Sequence, residues 1–182
     1  MPATTPRLRA TLTLPLLASA TIGCTPDPVA TDLDSWYYGL SAVLVENASL
    51  AHEVQEFAAD IIKARSAGKV SAEKTAKNLR KTILPAAQQV SEHAGAVRPL
   101  TPEYQALHDE LAAVWSDRAE AYGNILVAWD EADADALKTG MDRVGDLRIA
   151  ESFWFPRVNA VVEPKGYRFE EFPRSAPKRP TP

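Results

Sequence analysis

A long amphipathic pattern in the first third of the chain constrains the fold more than any other feature. Between residues 33 and 61, nine positions recur at alternating steps of three and four residues, and eight of the nine are apolar. This spacing places them on one face of an α-helix, which must bury that face against other helices. The nine positions are Leu33, Trp36, Leu40, Val43, Asn47, Leu50, Val54, Phe57 and Ile61.

Three further segments have the same helical spacing, and each begins with a residue that favours a helix start. The second segment begins at Ser71 and has its last apolar position at Val97. The third extends in the same way from Thr101 to Trp129, and the fourth from Asp133 to Val158. Four such segments joined by short turns predict an all-α domain, an up-down-up-down four-helix bundle over residues 33–162. Pro85 lies inside the second helix, where we expect a kink because proline removes the amide that would bond the carbonyl of Lys81.

Prolines divide the chain into a leader, a body and a tail. Of the 14 prolines, ten lie before residue 29 or after residue 163. The tail, residues 163–182, is predicted to be a Pro-rich extended or disordered segment. Tyr167, Phe169 and Phe172 are suited to dock its first half on the bundle, and we expect disorder from Arg174 onward.

The leader has the features of a secretory signal. Arg7 and Arg9 precede an uncharged, mostly apolar run from Ala10 to Ile22, which is too short to cross a bilayer as a helix. The run ends in Thr21-Ile22-Gly23-Cys24, which resembles the lipobox of bacterial lipoproteins, although Thr21 stands where that family usually has Leu. The resemblance covers the first 24 residues only. The alternative is an ordinary signal peptide followed by a free cysteine.

The lipobox resemblance implies a location. Residues 1–23 would be removed as a signal peptide, Cys24 would carry the acyl chains, and residues 24–32 would link the lipid to the helices. Each acyl CH₂ in the bilayer contributes about 0.8 kcal/mol to membrane partition. The protein is therefore expected to be lipid-anchored in the cell envelope. Because Thr25 rather than Asp follows the cysteine, the periplasmic face of the outer membrane is favoured in an organism with two membranes.

Cysteine count and charge exclude several classes of function. Cys24 is the only cysteine, so the chain can form neither an internal disulfide nor a multi-cysteine metal site. The formal net charge is −4, and loss of Arg7 and Arg9 with the leader would make it −6. A chain this acidic is poorly suited to the phosphate backbone of nucleic acids, so we expect no nucleic-acid partner.

Counting residues back from each predicted turn places several polar side chains at one level of the bundle. Asn47, His93, His108 and Asn159 are predicted to converge in one layer, which would form a small polar pocket or a metal site. The alternative is a buried Asn–His hydrogen bond that fixes helix register, with His108 facing solvent. No Glu-x-x-His pair of the di-iron bundles occurs, and the fourth helix has no histidine to ligate haem, so we expect no metal and no cofactor.

The same count gathers half of the aromatic residues at the end of the bundle nearest Cys24. They are Trp36, Tyr37, Tyr38, Tyr104, Phe153, Trp154 and Phe155. Three interpretations are open: contact with the membrane interface, a hydrophobic ligand cleft with Trp36 and Trp154 in its wall, and packing of the core at that end.

No catalytic motif accompanies these features, so we expect the protein not to be an enzyme. The predicted function is that of a non-enzymatic binding or assembly module of the cell envelope, with membrane lipid bound through acylated Cys24 and an envelope protein as partner. The alternative is a small-ligand or metal-binding bundle that uses the polar layer of Asn47, His93 and His108.

Overall fold

The helices of the predicted bundle are present, and the prediction of an all-α bundle is confirmed. The structure is a computed structural model that describes residues 27–66 and 71–178. These residues contain no strand, and their helices are α1 (Pro28–Ser66), α2 (Ala72–Asn78), α3 (Leu84–Ala96), α4 (Pro102–Asp130) and α5 (Ala134–Val162). A π-helical turn, Leu79–Ile83, joins α2 to α3, so the five helices form four rods. Cys24 and the rest of the leader lie outside the described residues.

Two ion pairs between neighbouring rods show that α4 runs opposite to both the second rod and α5. Arg80, near the start of the second rod, pairs with Asp130 at the end of α4 at 2.7 Å. Glu110, near the start of α4, pairs with Arg157 near the end of α5. These pairs are exposed and each contributes little to stability, typically about 0–1 kcal/mol. Their positions nevertheless show that these three rods are antiparallel to their neighbours in the chain.

The second rod contains the irregularity that its proline predicts. The backbone N–H of Leu84 donates to the carbonyl of Leu79, five residues earlier, which is the hydrogen bond of a π-helix. Pro85 follows at the first turn of α3, where its missing N–H is tolerated. The widened turn is therefore the form that the expected kink takes.

The first helix begins earlier than the sequence predicted. We expected a linker over residues 24–32, but α1 starts at Pro28. Asp27 caps this start, because its side chain accepts a hydrogen bond from the N–H of Val29 at 3.0 Å. Proline suits the first helical position, so Pro28 extends the helix by five residues beyond the first apolar position at Leu33. Only residues 25–27 separate Cys24 from α1.

The tail packs against the end of the bundle where α1 starts and α5 ends. Phe169 is only 2% exposed, and its ring centroid lies 5.3 Å from that of Trp36 and 5.7 Å from that of Trp154. Asn159 exchanges two hydrogen bonds with the backbone of Phe169, at 2.8 and 2.9 Å. Phe172 remains 51% exposed. Residues 174–178 are described without regular secondary structure.

Candidate ligand site

Four polar side chains form a hydrogen-bonded group in the core between α1, α4 and α5. The Glu151 carboxylate accepts from Asn47 Nδ2 at 2.6 Å, from Trp115 Nε1 at 2.8 Å and from Arg118 Nη1 at 2.7 Å. Arg118 Nη2 also donates to the side-chain oxygen of Asn47. All four residues are buried. We call this group the buried polar cluster.

The buried polar cluster satisfies nearly all of its own hydrogen-bonding groups. Burial of two ionised groups costs several kcal/mol each, and it is tolerated when the charges pair and their remaining donors and acceptors are matched. The exception is Arg118 Nε, a buried donor with no partner among the described residues. An unpartnered buried donor is rare in folded proteins and calls for a specific explanation.

A cavity of about 250 Å³ lies next to the buried polar cluster. Its lining includes three members of the buried polar cluster, Asn47, Arg118 and Glu151. It also includes an apolar wall formed by Leu50, which is buried, and by Val54 and Val144, which are half-buried. The remaining lining residues are Ala51, Tyr122, Met141, Gly145, Arg148, Glu171 and Phe172. The cavity thus has a polar floor, an apolar wall and an exposed rim to which the tail contributes.

Two further polar side chains of the lining interact electrostatically with each other: Tyr122, which is buried, and Arg148. Burial raises the pKa of Tyr122, the Arg118 charge opposes that effect, and the Glu151 charge adds to it. The hydroxyl is therefore protonated at neutral pH and can donate a hydrogen bond.

The structure separates the side chains that the sequence placed in one polar layer. Asn47 belongs to the buried polar cluster, whereas Nδ1 of His93 lies 2.8 Å from the Glu46 carboxylate on the half-exposed side of α1 and α3. His108 contacts Trp36 and Ala94 instead. Of the predicted pocket residues, only Asn47 lines the cavity.

The alternative Asn–His interpretation is wrong in its details. His108, expected to face solvent, is 1% exposed. Trp36 Nε1 donates to His108 Nδ1 at 3.3 Å, and Nε2 lies 3.1 Å from the Ala94 carbonyl. This arrangement fits a neutral ring that carries its hydrogen on Nε2. Burial lowers the pKa of His108, with the Ala94 carbonyl opposing that effect.

The aromatic end of the bundle is mainly core. Trp36 and Trp154 are each 1% exposed, and Trp36 stacks on Tyr104 with a centroid distance of 5.1 Å. Trp154 Nε1 donates to the Leu107 carbonyl at 2.6 Å. Of the aromatic residues gathered at this end, only Phe153 is exposed to solvent, at 66%. Trp36 and Trp154 can contact a ligand only if this packing opens.

Sequence analysis missed Arg118, Tyr122 and Glu151 as members of a site. A signal was present, because Arg118 lies three residues after Trp115 and seven after Leu111, within the apolar face of α4. Glu151 has the corresponding place on the apolar face of α5. Two opposite charges on apolar helix faces indicate a buried ion pair.

Comparison with known proteins adds no relative: no protein-family model, curated protein or solved structure matches this chain. Among residues 27–66 and 71–178, no helix has the length and apolar character needed to span a bilayer. The same residues contain no cluster of three or more His, Cys, Asp or Glu side chains arranged to hold a metal ion.

Proposed function

We propose that this chain is a bacterial lipoprotein, anchored in the cell envelope through acylated Cys24, whose helical bundle serves as a non-enzymatic binding or assembly module. The observation that carries the proposal is the Thr21-Ile22-Gly23-Cys24 motif directly after a short apolar run. In an organism with two membranes, Thr25 favours the periplasmic face of the outer membrane.

The start of α1 supports a close tether. Three residues, 25–27, span at most roughly 10 Å when extended. The acylated cysteine would hold the start of α1, and with it the docked tail, close to the lipid headgroups. A bundle tethered this closely presents its sides, rather than this end, to other envelope components.

One side of α5 offers a surface for a protein partner. Ile149 and Phe153 are 56% and 66% exposed. They are four residues apart and therefore lie next to each other on the helix surface. Contiguous exposed apolar surface marks candidate protein interaction sites. This pair supports the assembly role in the proposal.

The lipid anchor is tested by expressing the full chain in a bacterial host with labelled palmitate. We expect label in the wild-type protein and its release from membranes by detergent. Cys24→Ala should be unlabelled and recovered without detergent. Thr21→Leu, which completes the lipobox, is the matched control and should be labelled at least as strongly as wild type. An unlabelled wild-type protein, or a Cys24→Ala variant that stays with the membrane, would contradict the anchor.

The protein partner is tested by a photo-crosslinking amino acid placed in vivo at position 153. We expect a discrete crosslinked species there and none with the same group at exposed position 89 on α3. Loss of the species in the Ile149→Ser variant would assign it to the α5 surface. Equal crosslinking from both positions would contradict a partner on this face.

A second candidate function, small-ligand binding within the bundle, is favoured by the cavity over the buried polar cluster. This cavity differs from the predicted polar layer of Asn47, His93 and His108, because Asn47 is the one residue of those three that lines it.

A further inference from the structure

The loop between α3 and α4 is held against the start of α1. The two carboxylate oxygens of Asp32 accept hydrogen bonds from the backbone N–H groups of Leu100 and Thr101, each at 2.8 Å. Pro99 is buried, whereas its neighbours Arg98 and Leu100 are exposed. The loop is therefore fixed to α1 with the side chains of Arg98 and Leu100 on the outside of the bundle.

This loop and α1 together expose apolar side chains at one end of the bundle. Leu100 is 77% exposed, more than any other large apolar side chain that the structure describes, and Val29, in the first turn of α1, is 46% exposed. Single exposed apolar side chains are common, whereas apolar residues from two elements beside one groove mark a candidate contact surface. The groove between the loop and α1 has a volume of about 570 Å³ and is lined by Pro28, Thr31, Asp32, Ser35, Arg98 and Leu100. We call Val29 and this groove the α1-start surface.

The position of Cys24 limits what lies next to the α1-start surface. Val29 is five residues after Cys24 in the sequence, so the two are separated by at most roughly 17 Å. Acyl chains on Cys24 would hold that residue at the lipid headgroups, which form a layer roughly 5–8 Å deep on each side of the hydrocarbon core. The bilayer is then the apolar phase within reach of the α1-start surface.

The side chains of the α1-start surface suit a bilayer interface. Exposed leucine and valine side chains gain free energy when they enter the boundary between headgroups and acyl chains. Of the two charged residues in the groove lining, Asp32 is buried with both oxygens bonded to the loop, whereas Arg98 is exposed and can pair with a lipid phosphate. Asp27 and Asp34 also lie at this end, so we expect contact through apolar insertion without a need for anionic lipid.

We propose that the α1-start surface contacts the bilayer that anchors Cys24, with the Val29 and Leu100 side chains inserted at headgroup level and the Arg98 guanidinium beside a lipid phosphate. This contact rests on the proposed function, because acylated Cys24 is what holds the surface at the membrane. It extends that function by defining an orientation. The bundle stands with the start of α1 on the membrane and the end of α1 away from it.

The contact is tested with a polarity-sensitive NBD fluorophore at position 29, 62 or 100 of the acylated protein. Cys24 is the only cysteine, so after its acylation an introduced cysteine is the only free thiol. In phosphatidylcholine vesicles that contain a headgroup-nitroxide lipid, fluorescence at positions 29 and 100 should shift to the blue and be quenched. Ile62 is the matched control, because it is 66% exposed but lies 33 residues after Val29 on α1, roughly 50 Å along the helix. Position 62 should keep the fluorescence of a group in water.

A second substitution tests whether the two apolar side chains insert together. With the fluorophore at position 29, Leu100→Ser should reverse the blue shift and the quenching, whereas Ile62→Ser should leave both unchanged. Water-like fluorescence at positions 29 and 100 would overturn the proposal, as would equal quenching at positions 62 and 100. Quenching at position 153 in place of position 100 would also overturn it, because the bundle would then lie on its α5 side.

A further arm separates this contact from the lipid anchor. Residues 1–24 are replaced by a histidine tag, which holds the start of α1 on vesicles that contain a nickel-chelating lipid. Blue-shifted, quenched fluorescence at positions 29 and 100 in this arm, together with a failed palmitate label, would place the fault in the anchor and not in the contact. Water-like fluorescence at both positions in both arms would overturn the contact even if Cys24 is acylated.

Discussion

Arg118 and Glu151 form an ion pair at 2.7 Å, and both side chains are only 8% exposed. The exposed pair Arg80–Asp130 has the same 2.7 Å separation, with side chains 52% and 53% exposed. Distance is thus matched while burial differs. This makes the two pairs a controlled comparison of what burial does to the energetics of a charge pair.

Glu151→Gln is expected to lower the free energy of unfolding by about 3–5 kcal/mol, because it leaves the Arg118 charge buried without a counter-charge. Asp130→Asn should cost less than about 1 kcal/mol, because water solvates Arg80 when its partner is lost. Urea unfolding followed by tryptophan fluorescence measures both. Similar losses in the two variants would mean that the Arg118–Glu151 pair is not buried in solution.

The double variant Arg118→Met with Glu151→Leu separates the cost of an orphaned charge from the value of the pair. Since it removes both charges, its loss of stability should be smaller than the sum of the losses in Arg118→Met and Glu151→Leu. Additive losses in the same urea experiment would contradict coupling between the two side chains.

Gly140 of α5 lies in close contact with Ile125 of α4. A Cβ added there would lie 2.6 Å from Ile125 Cγ1, closer than the packing permits. Gly140→Ala is therefore expected to destabilise the bundle by about 1–3 kcal/mol, despite the better helix propensity of alanine. Gly123→Ala, where a Cβ meets nothing within 4 Å, should be stabilised by up to about 1 kcal/mol. Thermal unfolding of the two variants should shift in opposite directions, and a shift of the same sign would contradict the close contact.

The number, order and approximate ends of the four helical rods followed from the sequence because helix spacing and capping are local properties. Pro85 likewise located the π-helical turn, since a missing amide disturbs its own helix. The pairing of side chains across helices did not follow. The prediction that Asn47 lies in the core is confirmed. Counting residues along a helix, however, gives a side chain's position along the helix axis and not its direction around that axis. For that reason the sequence could not tell that Asn47 faces Glu151 on α5 and not a histidine.

His108 should make stability depend on pH. Its pKa is lowered by burial below the ordinary value of 6.5, so below that pH the unfolded chain binds more protons than the folded one. The stability contributed by the neutral ring is complete above the unfolded pKa and is lost as the pH falls below it. Urea unfolding should therefore show a steeper loss of stability between about pH 7 and pH 5 in wild type than in His108→Gln.

The slope rather than the absolute stability is the readout, because His108→Gln also alters the contacts with Trp36 and Ala94. His52→Gln is the control, since the His52 side chain is 69% exposed and should leave the wild-type slope unchanged. If His108→Gln and wild type lose stability in parallel, the buried neutral ring does not govern the pH response.

Docking of the tail depends on Phe169, whose neighbours Trp36 and Trp154 would lose an aromatic partner in Phe169→Ala. Truncation of a buried phenylalanine to alanine typically costs about 3–5 kcal/mol, and we expect a loss in that range. Phe172→Ala changes the same residue type three positions later, but Phe172 is 51% exposed and the cost should be within about 0.5 kcal/mol. Urea unfolding measures both, and limited proteolysis after residue 166 should speed up in Phe169→Ala alone. Equal stability of the two variants would show that the tail does not pack on the bundle in solution.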